Sequence, residues 1–212
     1  MTERTILLNE LESDALTELV NIGVSRAASG LRQMVGRQVV LSVPSVEVVS
    51  RAAAAALIRE RETGPLVAVR QDFHGALEGQ ALLIFPEQNS IELLRSVAGD
   101  LEAHELADME DEALLETGNI VLNSCLATMA NMLERPLEMS LPQVIRGEGA
   151  RLFVLSSDPA DAGVVLFLYI NFAVSDRDIR GYIAMLMDLP SLDMLKILIG
   201  EFIQRVLGED DG

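Results

Sequence analysis

LESDALTELVNIGVSRAASGLRQMVGRQVVLSVPSV, residues 11–46, and MEDEALLETGNIVLNSCLATMANMLERPLEMSLPQV, residues 109–144, align without a gap at a shift of 98 residues. Identities include Glu12 with Glu110, Ala15 with Ala113, Leu16 with Leu114, Glu18 with Glu116, Asn21 with Asn119, Ile22 with Ile120, Arg37 with Arg135, Ser42 with Ser140 and Pro44 with Pro142. Downstream, EGQALLIFPEQNSIELL at 78–94 resembles RGYIAMLMDLPSLDMLK at 180–196, each a strand running into a helix. Two such units without solenoid periodicity predict one pseudo-twofold domain over residues 1–212, made of tandem repeats at about 8–99 and 107–207.

Each unit reads as a long helix, then strands, then a shorter helix. Residues 8–35 carry Leu8, Leu11, Ala15, Leu19, Ile22 and Leu31 near helical spacing, and Gly36 is a stop signal. Residues 39–49 read as a strand in which Pro44 marks an edge or a bulge. The Ala-rich stretch 51–61 predicts a helix, Thr63-Gly64-Pro65 a turn, 66–73 and 80–85 strands, and 87–98 a helix. The second unit repeats this with a helix at 107–134, strands at 137–146, near 151–156, at 164–173 and at 179–187, and a helix at 190–207. Residues 174–178 read as a loop and the acidic tail 208–212 as frayed. The expected class is α+β, two layers, with two long helices over a largely antiparallel sheet.

Composition narrows the chemistry. Among 212 residues, 16 Lys and Arg face 33 Asp and Glu, a formal charge of −17. That sign disfavours nucleic acid and anionic membrane surfaces. No apolar run reaches ~18 residues, so membrane insertion is not expected, and the N-terminus lacks the pattern of a signal peptide. A chain of this length buries roughly 70% of its unfolded surface and needs no staple. One cysteine, Cys125, excludes an internal disulfide and fits a reducing, cytoplasmic compartment. Two histidines far apart, His74 and His104, do not make a zinc site. No phosphate-binding loop or nucleophile elbow is present. Cys125 reads as a small buried hydrophobe, and the nine Met, Met185 and Met187 among them, as core filler.

The two long helices carry the informative polar residues. Asp14, Glu18, Asn21 and Ser25 fall at i, i+4, i+7 and i+11, one face of the first helix, with Leu11, Ala15, Leu19 and Ile22 opposite. Asp108, Glu112, Glu116, Asn119 and Asn123 form the matching stripe on the second. A polar stripe is ordinarily just the solvated face of an amphipathic helix. Here Glu-x-x-Asn recurs in both halves, each time followed 23 residues later by a proline, while apolar positions changed (Gly23 for Val121, Ala27 for Cys125). The like-charge pairs Asp14/Glu18 and Glu112/Glu116 weaken an isolated helix by a few tenths of a kcal/mol, so helix stability does not account for them.

The pattern Asp14-x3-Glu18-x2-Asn21-x22-Pro44 resembles the signature of the CheC/CheX/FliY family of chemotaxis phosphatases: Asp or Ser, three residues, Glu, two, Asn, twenty-two, Pro. The second copy, Glu112-x3-Glu116-x2-Asn119-x22-Pro142, departs only in having Glu at its first position. Two copies at this length are similar to the CheC type; CheX is shorter with one copy, and FliY adds a flagellar-switch domain. The resemblance implies dephosphorylation of a CheY-type response regulator whose aspartyl phosphate sits beside the regulator's own Mg²⁺ and Lys. It therefore implies no cofactor belonging to this chain. Phosphoryl transfer to water is mostly positioning and charge stabilisation. An uncharged carboxamide that donates and accepts suits the placing of a water, so Asn21 and Asn119 take that part. Glu18 and Glu116 would pair with the regulator's Lys; Asp14 and Glu112 would support the docking; Pro44 and Pro142 read as strand-edge devices. The resemblance also implies a partner, CheD. Rival expectations are a non-catalytic adaptor for a regulator or CheD, and a purely structural flagellar-switch component.

Overall fold

The computed structural model describes residues 8–43, 46–98, 103–147, 152–153, 163–174 and 177–209. Helix α1 (Glu10–Val35) opens on a capping box. Asn9 Oδ1 accepts from the Glu12 amide at 2.9 Å and the Glu12 carboxylate accepts from the Asn9 amide at 2.8 Å. It stops at Gly36, φ 65°, whose N–H donates to the Arg32 carbonyl. Its buried stripe is Leu16, Leu19, Val20, Val24, Ala27 and Leu31. Leu11, expected on that face, is instead 55% exposed, because at about 100° per residue it falls beside Glu18, across the helix from the buried stripe.

The elements that follow are β1 (Val39–Ser42), β2 (Val46–Ser50), α2 (Arg51–Arg61), β3 (Leu66–Gly75), β4 (Gly79–Pro86) and α3 (Glu87–Ala98). The second copy gives α4 (Ala103–Met132), β5 (Leu137–Met139), β6 (Gln143–Gly147), β7 (Val164–Val174), β8 (Arg177–Met187) and α5 (Leu189–Glu209). Both strands expected to run through the prolines are split in two. The loop expected at 174–178 is shorter, since β7 reaches Val174 and β8 begins at Arg177. The strand expected near 151–156 falls largely outside the described residues; at the two that are described, Leu152 and Phe153, there is no strand and both are buried.

All described strand pairings are antiparallel, in the order β1-β7-β8-β4-β3-β5, with β2 beside β1 on β7 and β6 beside β5 on β3. The order is a palindrome about the β4–β8 pair. It also exchanges strands: β1 and β2 of the first copy complete the second copy's edge, and β5 and β6 complete the first copy's. The copies are interlocked through the sheet.

One sheet face, including Val67, Val69, Phe73, Leu83, Phe85, Leu168, Ile183, Met185 and Met187, packs under α1, α3, α4 and α5. The alternate residues Leu66, Ala68, Leu82, Ile84, Phe167 and Leu186 form a smaller core with Ala54 and Ile58 of α2, as strand alternation requires. Each such buried aliphatic or aromatic side chain contributes about 1.5–3 kcal/mol. The helices α1 and α4 touch at backbone distance: a Cβ on Gly23 would lie 2.9 Å from Cys125 Cα. Cys125 is fully buried, and burial pushes its thiol up to about 12.

Candidate functional site

The proline of the second copy belongs to a break in strand register. In the second copy Ser140 bonds to Asp72, through Ser140 N–H to the Asp72 carbonyl and Asp72 N–H to Ser140 Oγ, each at 2.9 Å. Gln143 is paired with Arg70. Leu141 and Pro142 therefore stand opposite Gln71 alone, a one-residue β-bulge. Leu141 is thrown outward and is 85% exposed. In the first copy the register shifts by the same single residue between Val39↔Val174 and Val46↔Leu168. Pro44 itself lies outside the described residues.

The stripes lie where the helical spacing put them. Asp14, Glu18 and Ser25 on α1, and Glu112 and Glu116 on α4, are exposed, and Asn21, Asn119 and Asn123 are half-buried. The side chain of Asp108 is outside the described ones. Among the described residues none of the carboxylates Asp14, Glu18, Glu112 or Glu116 has an ion-pair or hydrogen-bond partner. The repeated Glu12 and Glu110 are spent locally instead, Glu12 on the α1 cap and Glu110 on Ser90 Oγ at 3.1 Å and Arg146 at 3.6 Å.

The two carboxamides are held differently. Asn21 Nδ2 donates to the Val43 carbonyl at 3.2 Å and Asn21 Oδ1 accepts from the Val43 N–H at 3.1 Å. That two-point clamp secures the end of β1, and Val43 is only 3% exposed. Asn119 makes no such clamp on Leu141, the equivalent of Val43 in the 98-residue shift. Its Oδ1 accepts from Asn123 Nδ2 at 2.6 Å, and among the described residues its Nδ2 has no protein partner. Glu112, Glu116, Asn119 and Pro142 come together around a cleft of about 570 Å³. Its apolar wall includes Met34, Met109, Leu115 and Leu141. The first copy's Glu18 and Asn21 stay on the same face of α1. Gly118 lets α4 settle here: a Cβ on it would lie 2.4–2.8 Å from the side-chain carbons of Val69 on β3.

The arrangement offers unpaired carboxylates able to meet a cation, an uncharged donor beside them, and an apolar lip able to meet a protein surface. The lining of the cleft includes no Ser, Thr, Cys, Lys or His, and among the described residues there is no cluster suited to a metal ion. No described helix is long and apolar enough to cross a membrane.

Known proteins resemble the chain in the same terms. The family described as "Chemotaxis phosphatase CheX" matches residues 67–160, and the "CheC-like family" matches residues 11–48. A CheC1 protein of Halobacterium salinarum is 23% identical over 171 residues, 79% of this chain and 86% of that protein. A Bacillus subtilis protein named "CheY-P phosphatase CheC" is 24% identical over 204 residues, 91% of this chain and 96% of that one. The crystal structure of Thermotoga maritima FliY has the same fold, with a TM-score of 0.70 at 18% identity, covering 94% of this chain and 99% of that one. In its duplicated stripe and in its fold the chain is thus similar to the chemotaxis phosphatases. The likeness is to proteins of the CheC, CheX and FliY kind.

Proposed function

We propose that this protein hydrolyses the aspartyl phosphate of a CheY-type response regulator, with the α4 face bearing Glu116 and Asn119 as its principal working surface. Supporting this reading above all is the convergence of Glu112, Glu116, Asn119 and Pro142 on one cleft, with the Asn119 Nδ2 unpaired. The lining of the cleft includes no Lys or Arg, and with a charge of −17 the chain repels a bare phosphoryl group. The regulator must supply Mg²⁺ and a lysine, as the family resemblance implies. Glu116 pairs with that lysine and fixes the docking. Asn119, one turn further along α4, places a water in line with the phosphorus. A rigid helix face delivering that group supplies orientation in advance of the reaction. Glu112 supports the docking contact. Glu18 and Asn21 form the second surface, assisted by Asp14.

Phosphate release from a labelled regulator tests the reading: the protein accelerates release in proportion to its concentration. A second reading is favoured by the Asn21 clamp, which spends part of that carboxamide on strand β1. On it the first copy is a docking surface, and the protein as a whole is an adaptor. That reading predicts binding to the phosphorylated regulator without faster release.

A further inference from the structure

We propose that Gln71 and Asn123, both outside the repeated pattern, are positioning residues that fix the orientation of the Asn119 carboxamide. The proposal rests on the reading of Asn119 given above. Gln71 sits on β3 between Val69 and Phe73, facing the helices, and is 2% exposed. Its Nε2 donates to the Ser140 carbonyl at 2.8 Å and to Asn123 Oδ1 at 2.9 Å. Asn123 Nδ2 then donates to Asn119 Oδ1 at 2.6 Å. Three amides thus run head to tail from a backbone carbonyl to the cleft.

The direction of this relay is determined by its anchor. A backbone carbonyl only accepts, so Gln71 must turn its Nε2 toward Ser140. That forces Oδ1 of Asn123 toward Gln71, Nδ2 of Asn123 toward Asn119, and leaves the Nδ2 of Asn119 for a ligand. Reversing any one amide would set two acceptors or two donors face to face. The orientation has a cost, since Gln71 Oε1 is buried with no hydrogen-bond donor among the described atoms. An apolar residue would avoid it, and the first copy has one. Leu41, the counterpart of Met139 in the 98-residue shift, pairs with Phe172 as Met139 pairs with Phe73, so the equivalent of Gln71 is Ile170. The equivalent of Asn123 is Ser25. The first copy orients Asn21 on the Val43 backbone and has no relay; the second has lost that clamp to the outward Leu141 and has the relay in its place.

The test compares the full chain with Asn123→Ser, Gln71→Met and Asn119→Ala in phosphate release from a phosphorylated CheY-type regulator, at limiting and saturating regulator. The second site's share is the activity lost in Asn119→Ala. The expected result is a fivefold or greater fall in kcat for that share in both relay variants, with KM within twofold. The side-chain amide resonances of Asn119 move in both. Asn123→Ser leaves the fold intact, since Ser25 occupies the same place on α1. If Asn119→Ala is impaired while Asn123→Ser keeps full kcat, the relay is overturned and the function stands. If kcat falls only in step with the folded fraction, or KM rises in parallel, the two residues are structural and the proposal is overturned. If Asn119→Ala is itself fully active, the reading of Asn119 fails and the relay falls with it.

Discussion

Asn21 and Val43 are joined by two hydrogen bonds, carboxamide nitrogen to carbonyl at 3.2 Å and amide to carboxamide oxygen at 3.1 Å. Their equivalents Asn119 and Leu141 share none. The clamp gives the Asn-to-proline spacing a structural meaning in the first copy, for it holds the end of β1 one residue before Pro44. Replacing Asn21 by Ala leaves both backbone groups of Val43 without those partners, at about 1–3 kcal/mol. Asn119→Ala loses one contact at the rim of a cleft and costs under about 1 kcal/mol. Urea denaturation curves of the two variants check this order, with Asn21→Ala the less stable protein.

Gly118 is the seat of α4 on β3. In an exposed helix Gly→Ala gains about 1 kcal/mol. Here the added Cβ meets the stiff branched side chain of Val69 at 2.4–2.8 Å, an overpacking that costs about 1–3 kcal/mol. The clash outweighs the propensity, so Gly118→Ala lowers the unfolding midpoint. Because Asn119 is the next residue, phosphatase activity per folded molecule falls with it.

Leu141 is 85% exposed at the lip of the cleft. Leu141→Ser changes stability by less than about 0.5 kcal/mol, as substitutions at such positions do. It weakens binding of the phosphorylated regulator, because an apolar anchor is lost from the docking surface. Isothermal calorimetry against the regulator, beside a thermal melt, separates the two effects.

Cys125 is packed against Gly23 at the α1–α4 crossing, with its thiol pushed up to about 12. Since the thiolate is the reactive form, the native protein at pH 8 resists iodoacetamide and reacts only when denatured. The folded pKa lies above the unfolded value of about 8.5. This group's contribution to stability is therefore complete below pH ~8.5 and declines as pH rises from there toward 12. Denaturation midpoints across pH 7–10 show the fall, and Cys125→Ala lessens its slope.

Much of this was legible in the chain itself. The 98-residue shift, the two long helices, the capping Gly36 and most strands follow from periodicity and turn residues. The exchange of strands between the halves was not, because period-2 alternation says which face a strand buries and nothing about its neighbour. The bulge was half legible: Pro44 and Pro142 marked a break, but which residues would stand opposite depends on pairing. Leu11 differs because i, i+4 and i+11 steps carry it round to the side of Glu18, away from the stripe Leu16, Val20, Ala27 and Leu31 that is buried. Gln71 was missed altogether, although its signal was present, a polar residue between Val69 and Phe73 on the core-facing side of β3. Its partner Asn123 lies on the other long helix's stripe, 52 residues further along the chain, and only the fold joins them.

In the proposed mechanism carboxamides on α1 and α4 position the water that releases phosphate, with α4 the stronger site. The decisive measurement is phosphate release from a phosphorylated CheY-type regulator with wild type, Asn21→Ala, Asn119→Ala and the double variant. Wild type is expected to accelerate release, Asn119→Ala to lose more activity than Asn21→Ala, and the double variant to retain none while the regulator still binds. Full acceleration by the double variant would rule the mechanism out.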